Sequence, residues 1–212
     1  MPELCNISRR VYDGIGRYDI PCIAPVDEIP KIDRWIEFEV AKKKRVKNPN
    51  EGVHFFEEDS QFETIWNFPD RYGEALSKYG VVIMPDFSTY LELPKAVRIY
   101  QKYRMHWIGA YWQEMGLTII PTIRTGLEED WKWTFDGYPT KSIVAVSNVG
   151  CNQILWKKRE WIRGYYKMLE LLEPTKILFY SNSYPEGLDG NIEFIKYNIR
   201  KSEERKEIGG DI

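Results

Sequence analysis

The stretch VVIMPDFSTY, residues 81 to 90, runs four apolar residues into a proline, an aspartate, a phenylalanine and a serine. A short apolar run stopped by a breaker reads as a buried strand, which leaves the Asp86 carboxylate just past the strand's carboxyl end. That edge is where α/β proteins gather their binding and catalytic groups. The same aspartate also suits a plain turn, its oxygens accepting backbone N–H groups. The choice between the two turns on what else in the chain reaches that edge.

Outward from this stretch the pattern repeats. Upstream, Val53 to Phe56 is a β-prone run. Ser60 and Glu63 have the spacing of a capping box, and Tyr72, Ala75, Leu76 and Tyr79 fall on one helical face, with Gly80 at a C′ position. Downstream, Pro94 stands at the N1 position of a long helix. The expected buried face of that helix is Val97, Tyr100, Arg104, Trp107, Ile108, Tyr111 and Met115, with Gly116 ending it. Leu117 to Ile123, Ser142 to Val146 and Lys176 to Tyr180 are further strand candidates. Trp161, Tyr165, Met168, Leu169 and Leu172 mark the helix between the last two.

Strands alternating with helices imply βα crossovers and a mainly parallel sheet. No strand-order reversal is visible, so the expected fold is α/β, a TIM-barrel-like or partial barrel. Residues 51–197 form the expected domain. Residues 1–50 read as an N-terminal extension packed on it, with a strand candidate at Ile20 to Ala24 and a helical segment around Trp35. Residues 198–212 read as a charged tail.

The 212 residues are enough for one ordinary α/β domain. Thirty Lys and Arg against 32 Asp and Glu exclude the strong cationic field that non-specific nucleic-acid binding relies on. Cys5, Cys22 and Cys151 are odd in number and widely spaced, which argues against a disulfide framework or a zinc knuckle and for a cytoplasmic setting. No apolar run approaches the length of a membrane span, so no membrane partner is expected. The basic run Lys42 to Lys47 reads as a solvated segment or, less simply, as a phosphate contact. His54 and His106 have no metal-spaced partner and read as packed histidines.

A parallel sheet would bring one set of side chains to a single edge. Glu57, Glu58 and Asp59 follow the first strand, Asp86 and Ser88 the second, Arg124 the third, Ser147 and Asn148 the fourth, and Ser181 and Asn182 the fifth. Carboxylates serve as general bases or hard-metal ligands, and arginine holds anions. Asp86, Glu57 and Asp59 are therefore the catalytic candidates, with Arg124, Ser88, Ser147, Asn148 and Asn182 as ligand-binding candidates. Each has a structural alternative: turn bonds for Asp86, helix-dipole contacts for the acidic trio, and a surface ion pair for Arg124. Cys151 follows Gly150 near a helix start and reads either as an activated thiol or as small-residue packing.

With HFFEEDSQFETIW at 54 to 66, MPDFSTYLELP at 84 to 94, YRMHWIGAYWQEMGLTIIPT at 103 to 122, FDGYP at 135 to 139 and VAVSNVGC at 144 to 151, the chain resembles the domain of unknown function family 4417. The resemblance spans roughly residues 18 to 182 and implies a phage or mobile-element setting. It implies no reaction, cofactor or metal. The chain departs from the family pattern in reading IRTG, residues 123 to 126, where a tryptophan often follows the third strand. The reading that follows is a polar pocket at the strand ends that binds or hydrolyses a small anionic ligand such as a nucleotide. The alternative is a non-catalytic interaction protein that engages a host protein or nucleic acid.

Overall fold

The computed structural model describes residues 6–151 and 154–196. Among these residues seven strands form: β1 (Arg34–Glu37), β2 (Glu51–His54), β3 (Val81–Ile83), β4 (Ile119–Ile120), β5 (Ile143–Ser147), β6 (Lys176–Ser181) and β7 (Ile192–Lys196). β1 to β4 pair in parallel in chain order, and so do β5 to β7. A parallel bridge from Thr122 to Ala145 joins the two groups, with Ile123 N donating to Ala145 O at 2.8 Å. The sheet thus runs in sequential parallel order, as expected of a partial barrel. Among the described residues β7 does not pair with β1.

Side-chain alternation divides the interior in two. Val53, Phe55, Val82, Met84, Ile119, Val144, Val146, Ile177 and Phe179 face the helices. Their neighbours Phe56, Val81, Ile83, Ile120, Ile143, Ala145, Leu178 and Tyr180 meet on the opposite face. Both faces are buried, which is why these strands read as near-continuous apolar runs. The second face is curved: the Phe56 ring, just past β2, stacks on Tyr180 of β6 at 4.8 Å although three strands separate them in the sheet order. Val26, Ile29, Ile32 and Trp35 fill the same hollow.

The helices are α1 (Phe38–Lys43), α2 (Asp59–Phe62), α3 (Thr64–Asn67), α4 (Pro69–Leu76), α5 (Lys95–Glu114), α6 (Trp131–Thr134) and α7 (Leu155–Leu172). No helix among the described residues is long and apolar enough to cross a membrane. α5 and α7 pack against the helix-facing side of the sheet through Trp107, Ile108, Tyr165 and Met168.

Several local expectations are corrected. Trp35 lies in a strand, β1, and the helical spacing there belongs to α1, which follows without a loop. Ile20 makes only an isolated bridge with Ile15 rather than opening a strand. Ser60 is not a cap: α2 begins at Asp59, and the Glu63 carboxylate bonds Arg104 Nη2 at 2.5 Å instead of reaching back. Pro94 is the N-cap of α5, not its first residue. Val97 and Tyr100 are exposed, because the first turn of α5 turns Arg98 inward to a buried ion pair with Asp130. β7 has no counterpart in the expected strands, and the charged tail 198–212 lies outside the described residues.

Gly80 does not cap α4, which ends at Leu76. It is needed for close approach, since a Cβ there would stand 2.1 Å from the Pro49 carbonyl oxygen. That neighbour is backbone and cannot swing away. Gly80→Ala is expected to lower the unfolding free energy by about 1–3 kcal/mol in urea titrations, the usual penalty of overpacking.

Candidate functional site

The carboxyl ends of the strands open into a cleft of about 380 Å³. Its walls come from the segments after β2 (Phe56 to Glu58), β3 (Asp86, Ser88 to Glu92), β4 (Ile123 to Gly126) and β5 (Ser147, Val149 to Cys151), and from the start of α7 (Lys157, Glu160, Trp161). A sequential parallel sheet brings all these ends to one edge, so one cleft collects them.

At its floor Asp86 and Arg124 form a side-on fork. Arg124 Nε donates to Asp86 Oδ1 and Nη2 to Oδ2, both at 2.5 Å. Asp86 is 5% exposed and the Arg124 side chain 32%. Burial pushes the Asp86 carboxyl up from its ordinary value, Arg124 pulls it down, and nearby Asp59 adds to the rise. Burial works against the Arg124 charge, but Asp86 holds its pKa above the ordinary arginine value. The planar bidentate geometry is that of an ionised pair. Both Asp86 oxygens are engaged, so the carboxylate orients the guanidinium. A fork of this kind uses two of the five arginine N–H groups and leaves three.

Behind Arg124 stands Tyr138, whose hydroxyl donates to Thr122 O at 2.7 Å and accepts from Arg124 N at 3.4 Å. Lys102 Nζ lies 3.8 Å from the centre of the Tyr138 ring and 2.8 Å from His106 Nε2. His106 Nδ1 donates to Pro21 O at 2.9 Å, so Nε2 is left to accept from the lysine.

The other expected site residues divide. Ser88 lines the cleft and is held by Asp59: its N–H donates to Oδ2 at 3.0 Å and its hydroxyl to Oδ1 at 2.8 Å. Asp59 itself stands behind the wall. Glu57 lines the cleft while its Oε1 accepts from Glu39 N at the start of α1, at 3.1 Å. Ser147 lines it too, with its hydroxyl accepting from Val149 N at 3.1 Å and its carbonyl from Trp161 Nε1 at 3.0 Å. Asn148 and the exposed Asn182 lie outside the lining. Among the described residues no three His, Cys, Asp or Glu side chains gather to hold a metal.

Sequence reasoning missed Tyr90, Glu92, Lys157 and Glu160 as wall residues and placed Trp161 only in the core. Trp161 does both, stacking on Tyr165 at 5.4 Å while it lines the cleft. The lining carboxylates Glu57, Glu58, Asp86, Glu92 and Glu160 outnumber the cations Arg124 and Lys157, so the cleft is not a cationic funnel. In the basic run Lys42 and Lys43 pair with Glu39, Lys44 pairs with Glu51 at 2.5 Å, and Lys47 donates to Ala41 O at 2.6 Å, while Arg45 is exposed.

Fold and cleft define an α/β protein with a sequential parallel sheet and a cleft at the strand carboxyl ends. The family described as Domain of unknown function (DUF4417) matches residues 12–198, and the chain belongs to it. Its relatives include the Gene 1 protein of Mycobacterium phage L5, 30% identical over 174 residues that cover 81% of this chain and 75% of that protein. The Gene 1 protein of Mycobacterium phage D29 is 28% identical over 81% of this chain and 63% of its own length. The chain is thus phage-associated, and the match spans less than two thirds of the D29 protein. No solved structure matches it.

Proposed function

We propose that the chain binds a small molecule in the cytoplasm, in the cleft above the Asp86–Arg124 fork. The ligand would have a flat apolar body and one acceptor or anionic group, as a nucleoside or nucleoside monophosphate has. The fork carries this reading: it is a pre-oriented guanidinium at the floor of a concave site, with N–H donors beyond those its carboxylate uses. Phe56, Tyr90 and Trp161 supply ring faces or edges for the flat body. The surrounding carboxylates favour one negative charge over a polyphosphate, because like charges in a narrow cleft repel. Asp86 acts by orienting Arg124, and Ser88 and Ser147 supply hydroxyls at the wall.

The test is thermal stability against nucleosides, nucleoside monophosphates and triphosphates, since a ligand that binds only the folded state raises the melting temperature. A monophosphate is expected to raise it most. Tyr90 is 65% exposed, so Tyr90→Ala should leave the ligand-free melting temperature unchanged and weaken binding by about fivefold or more, the usual loss of one stacking ring. No rise with any member of the panel would overturn the reading.

A second reading, as an interaction protein for a host protein or nucleic acid, draws on one observation. Ile154, Leu155 and Trp156 are exposed beside the cleft, Leu155 at 85%, and lead into exposed Lys158 and Arg159. This reading takes over if the ligand panel gives no response.

A further inference from the structure

The segment between β3 and α5 forms one wall of the cleft, which Ser88, Thr89, Tyr90, Leu91 and Glu92 all line. Its two ends are fixed. At the near end the Ser88 N–H and hydroxyl are both held by the Asp59 carboxylate. At the far end Pro94 is the N-cap of α5, its carbonyl accepting from Val97 N at 2.9 Å and Arg98 N at 3.2 Å. Between them the chain forms no helix or strand. Among the described residues its polar tie to the opposite wall is one ion pair, Glu92 with Lys157 near the start of α7. Glu92 is 58% exposed at its side chain, so solvent and salt reach the pair. Lys157 itself lies 5.6 Å from the centre of the Trp156 ring, which holds it on the α7 side of the mouth.

We infer that residues 88–93 are a strap that opens and closes the cleft, hinged where Asp59 grips Ser88 and at Pro94, and latched by Glu92 on Lys157. The inference rests on the cleft being the ligand site, yet the latch can be tested with no ligand present. A stable body on each side and a single exposed ion pair between them give a two-position element, in which breaking the pair shifts the balance toward the open form. The closed strap brings Tyr90 and Leu91 over the space that Arg124 faces. An open strap admits solvent and ligand to that space.

Cys151 reports on the position of the strap. It lines the same cleft and is partly buried, whereas Cys22 is exposed and not part of the lining. The experiment is alkylation of the folded chain by a maleimide too bulky to pass the closed mouth, with the rates at Cys151 and Cys22 followed by mass spectrometry. Glu92→Gln removes the latch and leaves Lys157 in place. It is expected to raise the Cys151 rate about two- to fivefold, the range open to one exposed ion pair, with Cys22 unchanged. High salt should produce a similar rise in the wild type and none in Glu92→Gln. Exchanging the partners, Glu92→Lys with Lys157→Glu, should restore the slow wild-type rate, which a merely structural effect of either substitution would not do.

Equal Cys151 rates in wild type and Glu92→Gln, with no response to salt, would overturn the strap. A failure of every nucleotide to raise the melting temperature, with the Cys151 rates behaving as expected, would remove the ligand reading and leave the strap standing.

Discussion

Arg124→Met is expected to lower the unfolding free energy by about 3–5 kcal/mol near neutral pH, the loss seen when one partner of a buried ion pair is removed. The penalty arises on the other side of the pair. Asp86 is buried, its two oxygens are matched by Arg124 Nε and Nη2, and the substitution leaves that carboxylate with neither its countercharge nor its donors. Asp86→Leu in the same chain should restore most of the lost stability, because a neutral apolar pair of similar volume needs no compensation. The pH dependence identifies the cause. Burial already pushes the Asp86 carboxyl above its ordinary 3.8, and without Arg124 it rises further. A carboxyl whose folded pKa exceeds its unfolded one is favourable to folding below the unfolded value and loses that contribution as pH rises through the folded value. The deficit of Arg124→Met should therefore shrink as pH falls toward 4 and stand in full at neutral pH. A deficit independent of pH would mean that the loss is one of packing and not of charge.

The second large effect is on the acid side. His54 sits in the hollow of the sheet against Phe56 and Tyr180, with ring centres 5.8 and 4.6 Å away, and burial pushes its pKa from 6.5 down to about 3. The unfolded chain then binds a proton at this residue between those values while the folded chain does not, so stability is present above 6.5 and falls as pH drops toward 3. A shift of that size corresponds to up to about 5 kcal/mol. His106 is driven the same way, by burial and then by Lys102, and adds to the fall. His54→Phe keeps a ring in the hollow and removes the proton site. In urea titrations between pH 7 and 4 its stability should decline with a visibly smaller slope than the wild type, whatever constant offset the extra volume introduces. An unchanged slope would show that His54 does not drive the acid lability.

How much of this was legible follows from the range of each interaction. β3, β5 and β6 stand out in the sequence because a parallel sheet buried on both faces demands apolar runs, and VVI, IVAV and ILFY supply them. Asp86, Ser88, Arg124 and Ser147 were placed at strand ends by the same logic. β1 was hidden because RWIE runs straight into the helix FEVAKK, and one spacing masks the other. β7, IEFIK, is broken by Glu193 and Lys196 and precedes a charged stretch, so it lacks the continuous apolar run of a buried strand. What no spacing rule reaches is partnership: Asp86 and Arg124 are 38 residues apart, and Glu92 and Lys157 meet only because the sheet order brings α7 beside the β3 end. The chemistry of the site lies in those pairings. Arg124 changes from an open anion holder to one end of a fork once Asp86 is beside it.

The most direct test of the cleft as the ligand site is the alkylation rate of Cys151, with Cys22 as the internal reference, in the presence of whichever nucleoside or nucleotide raises the melting temperature. Such a ligand is expected to slow modification of Cys151 in step with its occupancy and to leave Cys22 unaffected. A ligand that raises the melting temperature while Cys151 reacts at its unliganded rate would bind elsewhere on the protein and contradict the assignment.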